Sequence, residues 1–249
     1  FLKNLEPYVN NLFINIDKRL HKIIERIYPK INFLNKNDTN KNLNVNCQIP
    51  LGDLGSLFVK DNTDLIKYNN SYVTSDFDLK YELKNELNTK NKFICGLSWI
   101  SKNDDIGVNK SISLEKLKPI LSIRNIEFID LQYNDTSKER KQFYNENGIK
   151  ISKIESIDNF NDLNGMTSLI DICDFVITVS NTNAHISGAL GKKTFLLLPK
   201  GKGKLWYWSS QKNRSIWYNS IRVIEQKTVD VWDESINNLK KIIEEQING

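Results

Sequence analysis

Residues 174–199, DFVITVSNTNAHISGALGKKTFLLLP, narrow the possible folds more than any other stretch, because an apolar strand runs directly into a capped helix. Phe175 to Val179 is a short β-branched run bounded by polar residues, the pattern of a strand covered on both faces in a parallel sheet. Ser180, Asn181 and Thr182 are all N-cap residue types, and Gly191 stands where a left-handed residue ends a helix about two turns later. The unpaired N–H groups of such a helix start, with the positive end of its dipole, favour a phosphate. His185, about one turn in, can add a donor to the same ligand. A plain βαβ crossover carrying a hydrogen-bonded histidine has the same sequence.

From Phe93 onward the alternation is regular. Strands are predicted at Phe93 to Leu97, Ile126 to Leu131, Ile149 to Ile154, Phe175 to Val179, Thr194 to Leu198 and Ile221 to Ile224. Helices fall between them at Leu114 to Leu121, Ser137 to Asn145, Leu163 to Ile172 and Asn183 to Leu190. This is the α/β pattern of a doubly wound parallel sheet. A last helix, Trp232 to Ile247, repeats Ile236, Leu239, Ile243 and Ile247 at helical spacing and packs one face on the body.

The first part is less regular. It offers strand Leu12 to Ile16, a helix from Lys18 to about Tyr28 ended by Pro29, strand Ile31 to Leu34, and an extended stretch at Val45 to Ile49. In PLGDLGSLF, Gly52 and Gly55 bracket a turn that a ligand could also use. Asn69 to Asp78 is polar and aperiodic and reads as a linker, so residues 1–78 and 79–249 are expected to form two domains. Asp76-Phe77-Asp78 has the form of a metal-binding DxD, but it precedes a helix at Leu79 to Leu87, where N-capping explains it. No metal site is expected.

Composition excludes several classes. No apolar run approaches the roughly 20 residues of a membrane helix, and FLKNLEPYVNNLF has no secretory core, so the reading is cytoplasmic. The three cysteines, Cys47, Cys95 and Cys173, are widely spaced in apolar surroundings and read as buried, reduced thiols. The net charge of +5 comes from lysines scattered through an Asn-rich background, clustered only at Lys200, Lys202 and Lys204, which argues against a nucleic-acid groove. The chain begins at Phe1 with its one methionine at Met166, so it is expected to be a fragment with a truncated N-terminal domain.

In an open parallel sheet, ligands bind outside the carboxyl ends of the strands. The residues there are Ser98, Trp99, Ser101 and Lys102 after the first strand of the second part, then Gln132-Tyr133-Asn134-Asp135, the turn Ile157 to Asp162, Ser180 to His185 (with Asn183), and Pro199 to Gly203. Lysine and hydroxyls near a helix start, opposite amide and aromatic groups, are what a nucleotide diphosphate requires.

The motifs GLSWISKN, NKSISLEKLKPIL, FIDLQYND, ITVSNTNAHISGALGKKTFLLLP and SIWYNSIRVIEQ, in this order and spacing, resemble the C-terminal half of the glycosyltransferase region found behind tetratricopeptide repeats in bacterial proteins. That family has the GT-B fold and is similar to heptosyltransferases and protein O-linked N-acetylglucosamine transferases. The resemblance is strongest over residues 93–226 and reaches the first part through INIDKRL and QIPLGDLGSLF. It implies two Rossmann-like domains facing a cleft, a nucleotide-sugar donor (UDP-, GDP- or ADP-linked) and no obligatory metal. It also implies that Ser180, Asn181, Thr182 and His185 meet the diphosphate, that Lys102 neutralises it, and that Gln132 and Tyr133 lie near the nucleoside. Trp206, Trp208, Trp217 and Tyr218 are expected to pack beneath the cleft. Ser180 stands where many relatives carry Asp, and Lys110 where they carry Arg, which replaces a bidentate contact by a point charge.

The function expected on this basis is metal-independent, inverting transfer of a sugar to a protein, lipid or glycan hydroxyl, with Lys102 and His185 stabilising the leaving group and the general base outside this chain. The fragment alone is expected to be inactive, and an upstream repeat domain is the associated partner. A GT-B-like binding or scaffold module without catalysis, and a sugar-nucleotide epimerase or hydrolase, are the alternative readings.

Overall fold

The computed structural model describes residues 1–34, 45–87 and 92–248. In the first part, α1 (Leu2–Leu5) leads to β1 (Phe13–Asn15), then α2 (His21–Ile27), then β2 (Asn32–Leu34). β1 and β2 pair in parallel, Ile14 opposite Phe33, and Ile14 and Ile23 are buried beneath them. Val45 to Ile49 forms no strand, and residues 35–44 lie outside the described residues. The PLGDLGSLF turn is instead a 3-10 helix, Leu51–Leu57, with Leu54 turned inward. Next comes α3 (Asn62–Ile66), capped by Asp61, which accepts from the Thr63 and Asp64 amides.

Residues 69–78 are not a free connector. The amides of Tyr72 and Val73 both donate to the Ala189 carbonyl, at 2.9 and 3.0 Å. Asp76 accepts from the Leu79 amide at 3.2 Å and so caps α4 (Phe77–Leu87), with Asp78 already inside the helix. Its carboxylate also pairs with Arg26 of α2 at 3.4 Å.

The remainder runs β3 (Phe93–Ser98), α5 (Gly107–Lys110), α6 (Leu114–Leu121), β4 (Ile126–Asp130), α7 (Ser137–Asn147), β5 (Ile151–Ser152), α8 (Leu163–Ile172), β6 (Phe175–Val179), α9 (Thr182–Ala189), β7 (Thr194–Leu198), β8 (Ser210–Gln211), β9 (Arg214–Ser215), β10 (Ile221–Glu225) and α10 (Asp233–Asn248). These strands form one eight-stranded sheet in the order β5-β4-β3-β6-β7-β10-β9-β8. The first six are parallel, and β8–β9 is an antiparallel hairpin appended at one flank. The protein is therefore mixed α/β with a large, mostly parallel sheet.

Both faces of this sheet are covered, which is why its central strands read as continuous apolar runs. Leu97, Ile177 and Leu197 face one side with α6 and α10, while Ile94, Ile129 and Val176 face the other with α4 and α8. Each such buried side chain contributes about 1.5–3 kcal/mol. Cys95 and Cys173 are buried free thiols, and burial pushes Cys173 up to about 12. Cys47 departs from expectation and is exposed, because its segment has no strand pairing to draw it inward. No helix among the described residues is long and apolar enough to cross a membrane.

From β3 the chain moves outward through β4 to β5, then returns to place β6 on the other side of β3. The crevice beyond the carboxyl ends of β3 and β6 is thus the point where strand order reverses, the place where open α/β sheets bind ligands.

Candidate functional site

The crevice is closed at its base by a side-chain network. Gln132, which follows β4, is fully buried. Its Oε1 accepts from Ser98 Oγ at 2.6 Å and from the Trp99 and Ile100 amides at 2.9 and 3.1 Å. Its Nε2 donates to the Ile100 carbonyl and to Asn134 Oδ1. Gln132, expected beside a nucleoside, has its amide committed to shaping the loop after β3. Behind it, burial pushes the Asp130 carboxyl up despite its ion pair with Arg140 at 3.2 Å.

The start of α9 joins the same network. Asn181 is its cap, accepting from the Asn183 amide at 3.0 Å and from Thr178 Oγ1 at 3.1 Å. Its Nδ2 donates across the crevice to Ser98 Oγ at 2.7 Å and to the Ile100 carbonyl at 3.4 Å. Asn183 is buried and donates to the Leu131 carbonyl at 2.8 Å. Gly191 closes the turn after α9 with φ of 71°, the left-handed residue its position predicted. Thr182 alone of this group is exposed, at the tip of the helix start.

His185 lies one turn further, in an aromatic enclosure. Its ring stacks on Trp208 at 4.8 Å and meets Tyr207 and Tyr218 at 5.6 and 5.9 Å. Its Nδ1 is 3.2 Å from the Tyr218 hydroxyl. Burial, with the charge of Lys110 nearby, lowers its pKa to about 4, so the ring is neutral at pH 7. Ser180 is buried and accepts from Trp208 Nε1 at 2.7 Å. The expected aromatic group therefore divides: Trp208 packs beneath the crevice, Trp206 is 78% exposed, and Tyr218 touches the histidine.

Two lysines matter here in different ways. Lys102 has an exposed side chain with no acceptor among the described residues, and its amide donates to the Tyr133 hydroxyl at 2.6 Å. Ser101 beside it is half-buried, its amide held by Ser111 Oγ at 3.0 Å. Lys110 is only 5% exposed, and burial alone lowers its pKa, with no carboxylate or other acceptor on its ammonium among the described residues. Its ammonium is not among the buried atoms left without a partner, so the stem is covered while the charged end keeps contact with solvent and is open to an anion there. The loop after β7 closes over this turn: a Cβ on Gly203 would stand 3.0 Å from Asn109 Cβ.

Tyr133 lies to one side, lining a polar cavity of about 350 Å³ with Asp135, Arg140, Lys153 and Asn159. A cleft of about 420 Å³ between Leu2 and Ile31 is lined entirely by the first part and contains none of these groups. The structure thus brings Ser98, Gln132, Asn181 and Asn183 into one network, and sets Ser180 and His185 in an adjoining one. Tyr207 and Tyr218 were not legible as neighbours of His185, because no local pattern joins segments so distant in sequence.

No protein-family model matches the chain. Among solved structures it is similar to α/β glycosyltransferases: E. coli ADP-heptose LPS heptosyltransferase II (TM-score 0.46, 13% identity, 69% of this chain and 54% of that one), E. coli heptosyltransferase WaaC with ADP (TM-score 0.46, 15% identity, 69% and 50%), and a family 9 glycosyl transferase from Veillonella parvula (TM-score 0.45, 11% identity, 70% and 46%). In sequence it is 28% identical over 123 residues to protein FlbA of Caulobacter vibrioides, a match covering 49% of this chain and 20% of FlbA. The chain spans a fifth of FlbA and about half of the two heptosyltransferases.

Proposed function

We propose that this chain belongs to a GT-B glycosyltransferase and binds the diphosphate of a nucleotide-sugar donor at the β3/β6 crevice. The observation that carries this reading is the largely covered Lys110 side chain, whose ammonium has no acceptor among the described residues and lies near enough to neutral His185 of α9 to lower its pKa. Residues 1–78 form the acceptor-side domain and residues 79–249 the donor domain.

In the reaction an acceptor hydroxyl oxygen attacks the anomeric carbon, and the bond from that carbon to the phosphate oxygen breaks. The electron pair leaves on the diphosphate. Lys110, Lys102 and the His185 ring stabilise this developing charge, with Thr182 at the exposed helix start, so the step is electrostatic and needs no metal. Ser98, Gln132, Asn181 and Asn183 act by holding the loop and helix in place, and Tyr133 borders the cavity that takes the nucleoside. Attack from the face opposite the leaving group inverts the anomeric centre. We assign the general base that takes the acceptor proton to no residue of this chain, so this chain by itself binds donor with negligible turnover.

Isothermal titration with UDP, GDP and ADP tests the site. Binding of at least one, weakened at least tenfold by Lys110→Met and by Lys102→Ala with His185→Ala, is expected; no binding, or binding indifferent to both changes, would remove it. Donor turnover by the full-length protein with an acceptor separates the enzyme from a binding module of the same shape.

A further inference from the structure

Three distant segments meet at His185. Tyr218, just before β10, lies across α9 so closely that a Cβ on Gly188 would stand 2.3 Å from its ring. Its hydroxyl is 3.2 Å from His185 Nδ1, and the hydroxyl of Tyr72 lies close to it on the other side. Tyr72 is fixed in turn, its amide donating to the Ala189 carbonyl at 2.9 Å, while the Asn219 amide donates to the Asn69 carbonyl at 3.0 Å. The Tyr218 hydroxyl thus meets His185 Nδ1 and has the Tyr72 hydroxyl close by.

We propose that Tyr218, backed by Tyr72, is a positioning residue that holds His185 as the neutral tautomer with its proton on Nε2, so that the ring is a donor to an anionic ligand and not a base. The inference rests, for its ligand, on the diphosphate reading above. The polarity of the contact follows from the groups themselves. An imidazole nitrogen is a better acceptor than a phenol oxygen, and a phenol is the better donor, so Tyr218 gives its single proton to Nδ1. Its oxygen then keeps a lone pair on the side where Tyr72 lies. The hydrogen bond at one ring nitrogen sets which form the other takes.

The surroundings agree with a neutral ring. The titratable groups facing His185 are Lys110 on α5, Tyr207 on the loop after β7, Tyr218 before β10, and Tyr72 behind it; no carboxylate is hydrogen-bonded to the ring among the described residues. Burial raises Tyr207 and Tyr218, so each keeps its proton. Stacking on Trp208, whose Nε1 is held by Ser180, leaves the ring little freedom to turn.

The sequence has two histidines, so a long-range ¹H–¹⁵N spectrum of the labelled protein contains two ring patterns, assigned with a His21→Asn variant. At pH 7 without ligand, His185 is expected with the proton on Nε2. Tyr218→Phe keeps the ring over Gly188 but removes the proton donor; it should mix the tautomers, raise the midpoint of the His185 titration, and weaken ADP or UDP binding about three- to tenfold. Tyr72→Phe should shift all three the same way by less, without disturbing the packing at Gly188. A proton on Nδ1 in the wild type, or an unchanged tautomer in both folded variants, overturns the proposal. The expected tautomer without any response to ADP, UDP or GDP supports the role of Tyr218 and overturns the nucleotide reading alone.

Discussion

Asn181 Nδ2 donates to Ser98 Oγ at 2.7 Å, joining the cap of α9 to the last residue of β3 where the strand order reverses. One amide thus caps a helix with its oxygen and fastens the neighbouring loop with its nitrogen. Asn181→Ala loses both functions, and a cost of about 1–2 kcal/mol is expected from the cap alone. Asn181→Ser retains a capping oxygen without the reach to Ser98, and its urea midpoint should fall between Ala and wild type.

Gln132 is the acceptor for a hydroxyl and two amides at once. Replacing it by Leu fills a similar volume but leaves these donors unpaired, each at about 1–3 kcal/mol. Denaturant unfolding of Gln132→Leu should show a loss of at least about 3 kcal/mol, larger than for a Leu introduced at exposed Asp135.

Lys110 behaves in the opposite sense. Its ammonium has no acceptor among the described residues while its stem is covered, so Lys110→Met should keep or raise the unfolding midpoint while removing nucleotide binding. Calorimetric melting and titration of the same sample check the two effects together. A destabilised Lys110→Met would mean that the ammonium is satisfied within the protein.

His185 carries a pH signature. Its folded value of about 4 lies below the ordinary 6.5, so the unfolded chain binds the extra proton first. The stability this neutral ring secures is complete above pH 6.5 and is lost as pH falls through about 4, a span worth up to about 3 kcal/mol. His185→Gln should flatten that part of the stability curve measured by urea unfolding from pH 7 to 4.

Gly188→Ala tests the contact that places Tyr218. Because the added Cβ would meet the ring at 2.3 Å, the ring must move, and a cost of about 1–3 kcal/mol is expected. Near-ultraviolet circular dichroism should change with it, since Tyr218 lies near Trp208.

The elements that were legible are those in which local signals coincide. α6 and α8 begin and end where the sequence predicts, because Ser113 and Asp162 cap helices with strong apolar faces. β6 is also as predicted, and the helix after it begins one residue early, at Thr182. The predicted strand at Ile149 to Ile154 shrinks to Ile151–Ser152, because only those residues find a partner on β4. The hairpin β8–β9 escaped notice. Its turn, Lys212-Asn213, has φ of 49° and 62°, without the glycine that usually marks such a turn, and its strands are too polar to show alternation.

The site was legible in outline only. The shared sheet edge follows from topology, so the loops after β3, β4 and β6 could be grouped in advance. Which side chains face the crevice depends on packing: Lys102 is the cation singled out in the sequence and is exposed, whereas Lys110, read there only as a point charge in place of an arginine, is 5% exposed. The polar stretch before α4 reads as a linker, and nothing local shows that the Tyr72 amide is held by the Ala189 carbonyl at the end of α9.

The large sheet ends on one flank in β5 and on the other in β8, each two residues long. Strands this brief offer too few free backbone groups to template a further chain. The fold therefore guards itself against edge-to-edge polymerisation, and any macromolecule that docks on these flanks must be recognised through side chains.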